Sequence, residues 1–214
     1  CIRDRYLEEY EQEKAMDAFL SEETFSIRDD LEPSDWAAID AREFDKDAWR
    51  INQLIPKQGF VILASISGEK KTWIAMEMAR CIADGINFLD QERFKTEGAS
   101  VLYLNAENPW SEIQRRGRQL KFHADSPNKL LMLNSDDINL HNQKGVTWLN
   151  ALIEFYEIQV VFVDTLRAVA GGLKEDKAEE VRQFFNRYAA LKNNGVVVIW
   201  LDHSRKPSNF DGKQ

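Results

Sequence analysis

The sequence predicts an α/β fold, a mostly parallel sheet flanked by helices, with a helical arm ahead of it. Three observations carry that expectation. Unbroken apolar runs recur at Phe60–Leu63, Val101–Leu104, Val160–Val163 and Val196–Leu201. Runs of that kind suit strands buried on both faces of a parallel sheet. Stretches with apolar residues at helical spacing separate them, so strands and helices alternate. At 214 residues and 43% hydrophobic, the chain is long enough to bury a sizeable core.

The acidity is confined to one end. Residues 1–50 hold 16 acidic against 7 basic side chains, a balance of −9 within an overall −8, which leaves the remainder close to neutral. A core without a broad basic surface gives no compositional case for duplex binding. No run of 18 or more apolar residues occurs and no charged-then-apolar leader opens the chain. The expectation is therefore a soluble cytoplasmic protein with no membrane partner. Cys1 and Cys81 lie far apart and support neither a disulfide framework nor a metal site. A start at Cys1 and a polar stop after a strand pattern suggest a piece of a longer protein.

Taken in order, residues 2–25 read as a charged amphipathic helix, either exposed or docking on a neighbouring subunit, and 27–47 as a connector. This sets an acidic arm over 1–48 against a core over 49–214. WRINQLIPKQG (49–59) leads into what the apolar pattern marks as the central strand, Phe60–Leu63. A helix follows, opening on Lys71-Thr72, with Ile74, Met78, Cys81 and Ile82 on one face and Gly85 as its stop. Between strand and helix lie Ser65, Ile66, Ser67, Gly68, Glu69, Lys70, Lys71 and Thr72, with Trp73 next. The spacing is that of a P-loop, G-x-x-x-x-G-K-[ST], with Ser65 and Lys70 in the glycine positions.

Backbone N–H groups at a helix N-terminus attract phosphate, a lysine reaches the terminal phosphates and a hydroxyl holds Mg²⁺. Lys71 and Thr72 fit the last two roles by register. An ordinary strand-turn-helix with a polar loop fits the same residues.

The second strand, Ala99–Ala106, delivers Glu107 to a strand's C-terminal end, where open α/β sheets place ligands. Glu107 is read as a catalytic base or as an N-terminal cap or charge for the next helix, which carries Arg115, Arg116 and Arg118. A short strand at Lys129–Asn134 and a helix at Gln143–Tyr156 come next. Val160–Val163 then ends in Asp164, the pattern of a Walker B carboxylate that reaches Mg²⁺. Ala168–Lys177, with two glycines, reads as a mobile loop, and Ala178–Asn193 as one helix. The last strand delivers His203, either a structural histidine or a sensor, followed by Arg205 and Lys206.

Together these signals resemble the RecA-like P-loop ATPases and, within them, the RepA-like hexameric replicative helicases. The resemblance spans Trp49 to Lys206 and rests on WRINQLIPKQGFVILA, KTWIAMEMARCIA, VLYLNAEN, VVFVDTLRAVAGG and VVVIWLDHSRK. It implies a RecA-like P-loop NTPase core, ATP and Mg²⁺ as ligands, and a homo-oligomeric ring of six acting on single-stranded DNA. By position it implies that Lys71 neutralises phosphate charge, Thr72 and Asp164 hold Mg²⁺, and Glu107 activates water. It further implies that His203 senses the γ-phosphate and that Arg205 and Lys206 touch phosphate across an interface or a DNA strand. A nucleotide-binding structural or regulatory subunit with little turnover is the alternative.

Overall fold

The computed structural model describes residues 35–41, 48–66, 70–134, 139–173 and 177–203. The expected helix over 2–25, the loop residues Ser67, Gly68 and Glu69, and Arg205 and Lys206 lie outside the described residues. The chain divides into two compact units, Cys1–Asp45 and Lys46–Gln214. In the first, the described element is a short helix α1, Trp36–Asp40.

The second unit is built on a five-stranded sheet of order β3-β7-β6-β4-β5. Its strands are β3 (Gly59–Ser65), β4 (Val101–Asn105), β5 (Leu130–Asn134), β6 (Val160–Asp164) and β7 (Val197–His203). Every pairing among them is parallel. Helices α2 (Lys71–Asp84), α3 (Trp110–Gln119), α4 (Gln143–Tyr156), α5 (Leu166–Val169), α6 (Ala178–Asn186) and α7 (Ala189–Asn193) connect the strands. Ahead of the sheet, β1 (Trp49–Ile51) and β2 (Ile55–Pro56) form a small antiparallel ribbon.

Alternation along the inner strands creates two cores. Val101, Tyr103, Val160, Phe162, Val197 and Ile199 face α2 and the ribbon. Leu102, Leu104, Val161, Val163, Val198 and Trp200 face α4 to α7. Successive side chains of a strand point to opposite faces, so an unbroken apolar run is what a sheet covered on both sides requires. Helix α2 ends where Gly85 takes φ 68°, and its N–H caps the Cys81 and Ile82 carbonyls. That left-handed position favours glycine because no Cβ is present to clash. Helix α4 starts at Asn142, whose side chain accepts from the Gly145 N–H.

Several expectations are corrected. Strand β3 is an edge strand, not the central one, and Ile62 at its middle is 56% exposed. Its apolar run is long enough for a buried strand, but β7 inserts between it and β6, leaving one side unpaired among the described residues. Ile74 is partly exposed; the buried stripe of α2 runs through Ala75, Met78, Ala79 and Ile82, with the two alanines letting the helix approach the sheet. Ala168 and Val169 are helical rather than loop, because the Thr165 side chain caps α5. The expected helix over 178–193 is broken at Arg187-Tyr188, where Tyr188 turns into the core and its hydroxyl bonds the Leu140 carbonyl. No helix among the described residues is long and apolar enough to cross a membrane.

Candidate nucleotide site

Parallel strands in register bring their C-terminal ends to one edge of the sheet. Ser65 at the end of β3 lies beside His203 at the end of β7. Asp164 ends β6 beside Asn105 of β4, which in turn pairs with Asn134 of β5. Side chains far apart in sequence therefore converge above this edge. A cavity of about 280 Å³ is lined there by Lys70, Lys71, Thr72, Glu107, Asp164 and His203, with Trp73, Asn108, Glu112, Arg115 and Arg116 completing its wall.

Lys71, the first residue of α2, is buried, and its Nζ donates to the Ser65 carbonyl at 3.1 Å and lies 3.0 Å from His203 Nδ1. An ammonium only donates, so Nδ1 accepts and Nε2 carries the ring proton. That Nε2 stands 3.4 Å from Glu107 Oε1. Lysine, histidine and glutamate thus form a continuous polar chain across the cavity.

Glu107 is not a cap: the residue flanking the start of α3 is Pro109. The turn carrying Glu107 is braced by asparagines, with Asn105 Nδ2 and Asn134 Nδ2 donating to the Asn108 carbonyl at 2.6 and 3.0 Å. Asn108 N–H donates back to Asn105 Oδ1 at 3.2 Å. This closes the turn and fixes where the carboxylate stands.

Asp164 is almost fully buried. Tyr103 hydroxyl donates to its Oδ2 at 2.9 Å, while Oδ1 is buried without a hydrogen-bond partner. Burial pushes the Asp164 carboxyl up, and the Thr72 and Tyr103 hydroxyls pull it back down. Burial, together with the adjacent carboxylate, holds the Tyr103 phenol well above its usual range, so it remains a donor. An orphaned carboxylate oxygen beside a threonine hydroxyl is a hard-oxygen pair of the sort Mg²⁺ takes, with phosphate and water supplying the rest. Among the described residues no cluster of three or more His, Cys, Asp or Glu offers a metal site built from protein side chains alone.

The N-terminus of α2 has no side-chain cap. The first N–H groups of a helix attract anions. Lys70, in the second glycine position of the motif, adopts φ 64° and ψ 20°. The left-handed turn for which P-loops use glycine is thus made here by a lysine.

Sequence reasoning missed Tyr103, the asparagine brace and the part played by α3. Glu112 accepts from Arg115 Nε and a terminal nitrogen at 2.8 and 2.6 Å and from Arg116 Nε at 2.8 Å. Both guanidiniums lie over the Trp73 ring, at 5.6 and 5.7 Å from its centroid. Hydrogen bonds from Arg115, then Arg116, draw the Glu112 carboxyl down to about 2. The i,i+3 and i,i+4 spacing of Glu112 to the arginines was the available signal.

A family described as an AAA domain matches residues 23–209. No curated protein matches the sequence. Among solved structures, a KaiC-like protein from the hyperthermophilic archaeon Pyrococcus horikoshii is similar in fold, with a TM-score of 0.53 at 15% identity. That likeness covers 79% of this chain and 74% of the archaeal one.

Proposed function

Because the chain belongs to the AAA domain family, a P-loop ATPase family, we propose that it binds and hydrolyses Mg²⁺-ATP above the C-terminal edge of its sheet. We further propose that turnover drives action on single-stranded DNA, as in a RepA-like helicase assembled from copies of this chain, six to a ring. The observation that carries the nucleotide reading is convergence. Lys71, Thr72, Glu107, Asp164 and His203 come from different strand ends and line one cavity.

In this reading the α2 N-terminus and Lys71 take the phosphates. Thr72 and Asp164 Oδ1 hold Mg²⁺, which supplies charge neutralisation on the phosphate oxygens. Glu107, held by the asparagine brace, orients and deprotonates the attacking water. His203 links Lys71 to Glu107, so engagement of Lys71 by phosphate is felt at the base. Arg205 and Lys206, outside the described residues, are proposed to touch phosphate across a subunit interface or a DNA strand.

A second reading, a nucleotide-binding subunit with little or no turnover, draws on the strained Lys70 where glycine would let the loop close tightly. Steady-state phosphate release from Mg²⁺-ATP, with and without single-stranded DNA, separates the two. Native turnover stimulated by DNA, and reduced at least about 100-fold in Lys71→Ala and Glu107→Gln, is expected. Saturable ATP binding without phosphate release would establish the second reading instead.

A further inference from the structure

Helix α3 brings a positive charge to the cavity that the P-loop frame does not require. Arg116 lines the cavity and its side chain is 14% exposed. Its Nε is anchored on Glu112 at 2.8 Å, and its guanidinium lies over Trp73. Glu112 is itself gripped by Arg115, so the head of Arg116 is held from two sides before any ligand arrives. One terminal nitrogen of this guanidinium is buried without an acceptor. A buried cationic N–H left unpaired is costly, because it has given up water and received nothing in return.

The same cavity holds Lys71 and Thr72 at the start of α2, where an anion's oxygens would sit. A phosphoryl oxygen entering there meets an anchored, under-satisfied guanidinium in the cavity lining. We propose that Arg116 is a phosphate-binding residue contributed within the same chain, donating to the terminal phosphoryl group of ATP and so distinguishing ATP from ADP. Glu112, Arg115 and Trp73 are positioning residues that hold Arg116 in place. The proposal rests on the reading of the cavity as an ATP site. It adds which wall reads the last phosphate.

The purely scaffolding alternative, an arginine that only ties α3 to α2 through Glu112 and Trp73, makes a different prediction. A scaffold has no means of telling one phosphate from another. The test is calorimetric titration of the full chain with Mg²⁺-ADP and with a non-hydrolysable Mg²⁺-ATP analogue. The proteins compared are native, Arg116→Ala, Arg116→Lys and, as a control, Arg118→Ala, which is exposed on the same helix and outside the cavity.

Arg116→Ala is expected to weaken the ATP analogue at least about tenfold while ADP changes less than about threefold. Arg116→Lys, which keeps the charge should the alanine variant fail to fold, is expected to recover part of the discrimination. Arg118→Ala is expected to leave both affinities as in the native chain. Equal losses for both nucleotides, or no loss for either, would overturn the role of Arg116 and leave the ATP site standing. A native chain that binds neither nucleotide would overturn both.

Discussion

Strands β3 and β6 start from nearly the same material, FVIL and VVFV, and each ends at a residue of the candidate site. Their surroundings differ. Every residue of β6 is buried between β4 and β7, whereas β3 lies at the sheet edge with Ile62 and Ala64 exposed. The endings differ too. Strand β6 delivers Asp164 into a buried pocket where Tyr103 holds one oxygen, while β3 runs into a loop that reaches α2 through a left-handed Lys70. An apolar run identifies a strand; its neighbours decide how much each side chain contributes. The fully buried centre of the sheet holds the carboxylate, and the partly exposed edge strand leads to α2.

If that contrast is right, the same substitution has different costs on the two strands. Phe162 is fully buried in β6 and stacked on Tyr103 with 5.7 Å between ring centroids. Phe162→Ala is expected to cost about 3–5 kcal/mol by urea unfolding and to loosen the Tyr103 grip on Asp164. A cost under about 1 kcal/mol would mean that the buried centre of the sheet contributes far less than its packing implies.

At the loop, Lys70→Gly removes a side chain from a φ of 64°. The left-handed penalty of about 1–2 kcal/mol is relieved, against an entropy cost of about 0.5–1 kcal/mol for glycine. A net gain of up to about 1.5 kcal/mol is expected in the same unfolding experiment, and a loss would show that Lys70 makes contacts that outweigh its strain. The smallest effect belongs to Ile62→Ala, which is expected to change stability by less than about 1 kcal/mol because the side chain is mostly in water. A larger loss would reveal a partner covering the β3 edge in solution.

Much of the scaffold was legible because local signals agreed with it. The apolar runs at Val101–Leu104 and Val160–Val163 are strands β4 and β6, and Gln143–Tyr156 is a helix with the bounds its periodicity gives. Gly85 stops α2 as a left-handed cap should. Order within the sheet was not legible, since a parallel sheet is assembled by pairings that leave no mark on neighbouring residues. The break at Tyr188 was hidden for the same reason, because it depends on the distant Leu140 carbonyl.

The site was legible as a sequence of strand ends. Its wiring was not. Tyr103 looked like one more apolar position of β4, and only the register with Phe162 and Asp164 shows its hydroxyl meeting the carboxylate. Arg116 is one of three arginines on the helix after Glu107, and only the fold brings it beside Trp73 and the cavity.

The most direct test of the central claim, that these strand ends form one Mg²⁺-nucleotide site, is a binding titration of a non-hydrolysable ATP analogue with and without Mg²⁺. Native chain would be compared with Lys71→Ala and Asp164→Asn. The account predicts saturable, Mg²⁺-dependent binding to the native chain, loss of binding in Lys71→Ala, and loss of the Mg²⁺ dependence in Asp164→Asn. Binding that persists unchanged in both variants, or no binding to the native chain, would contradict it.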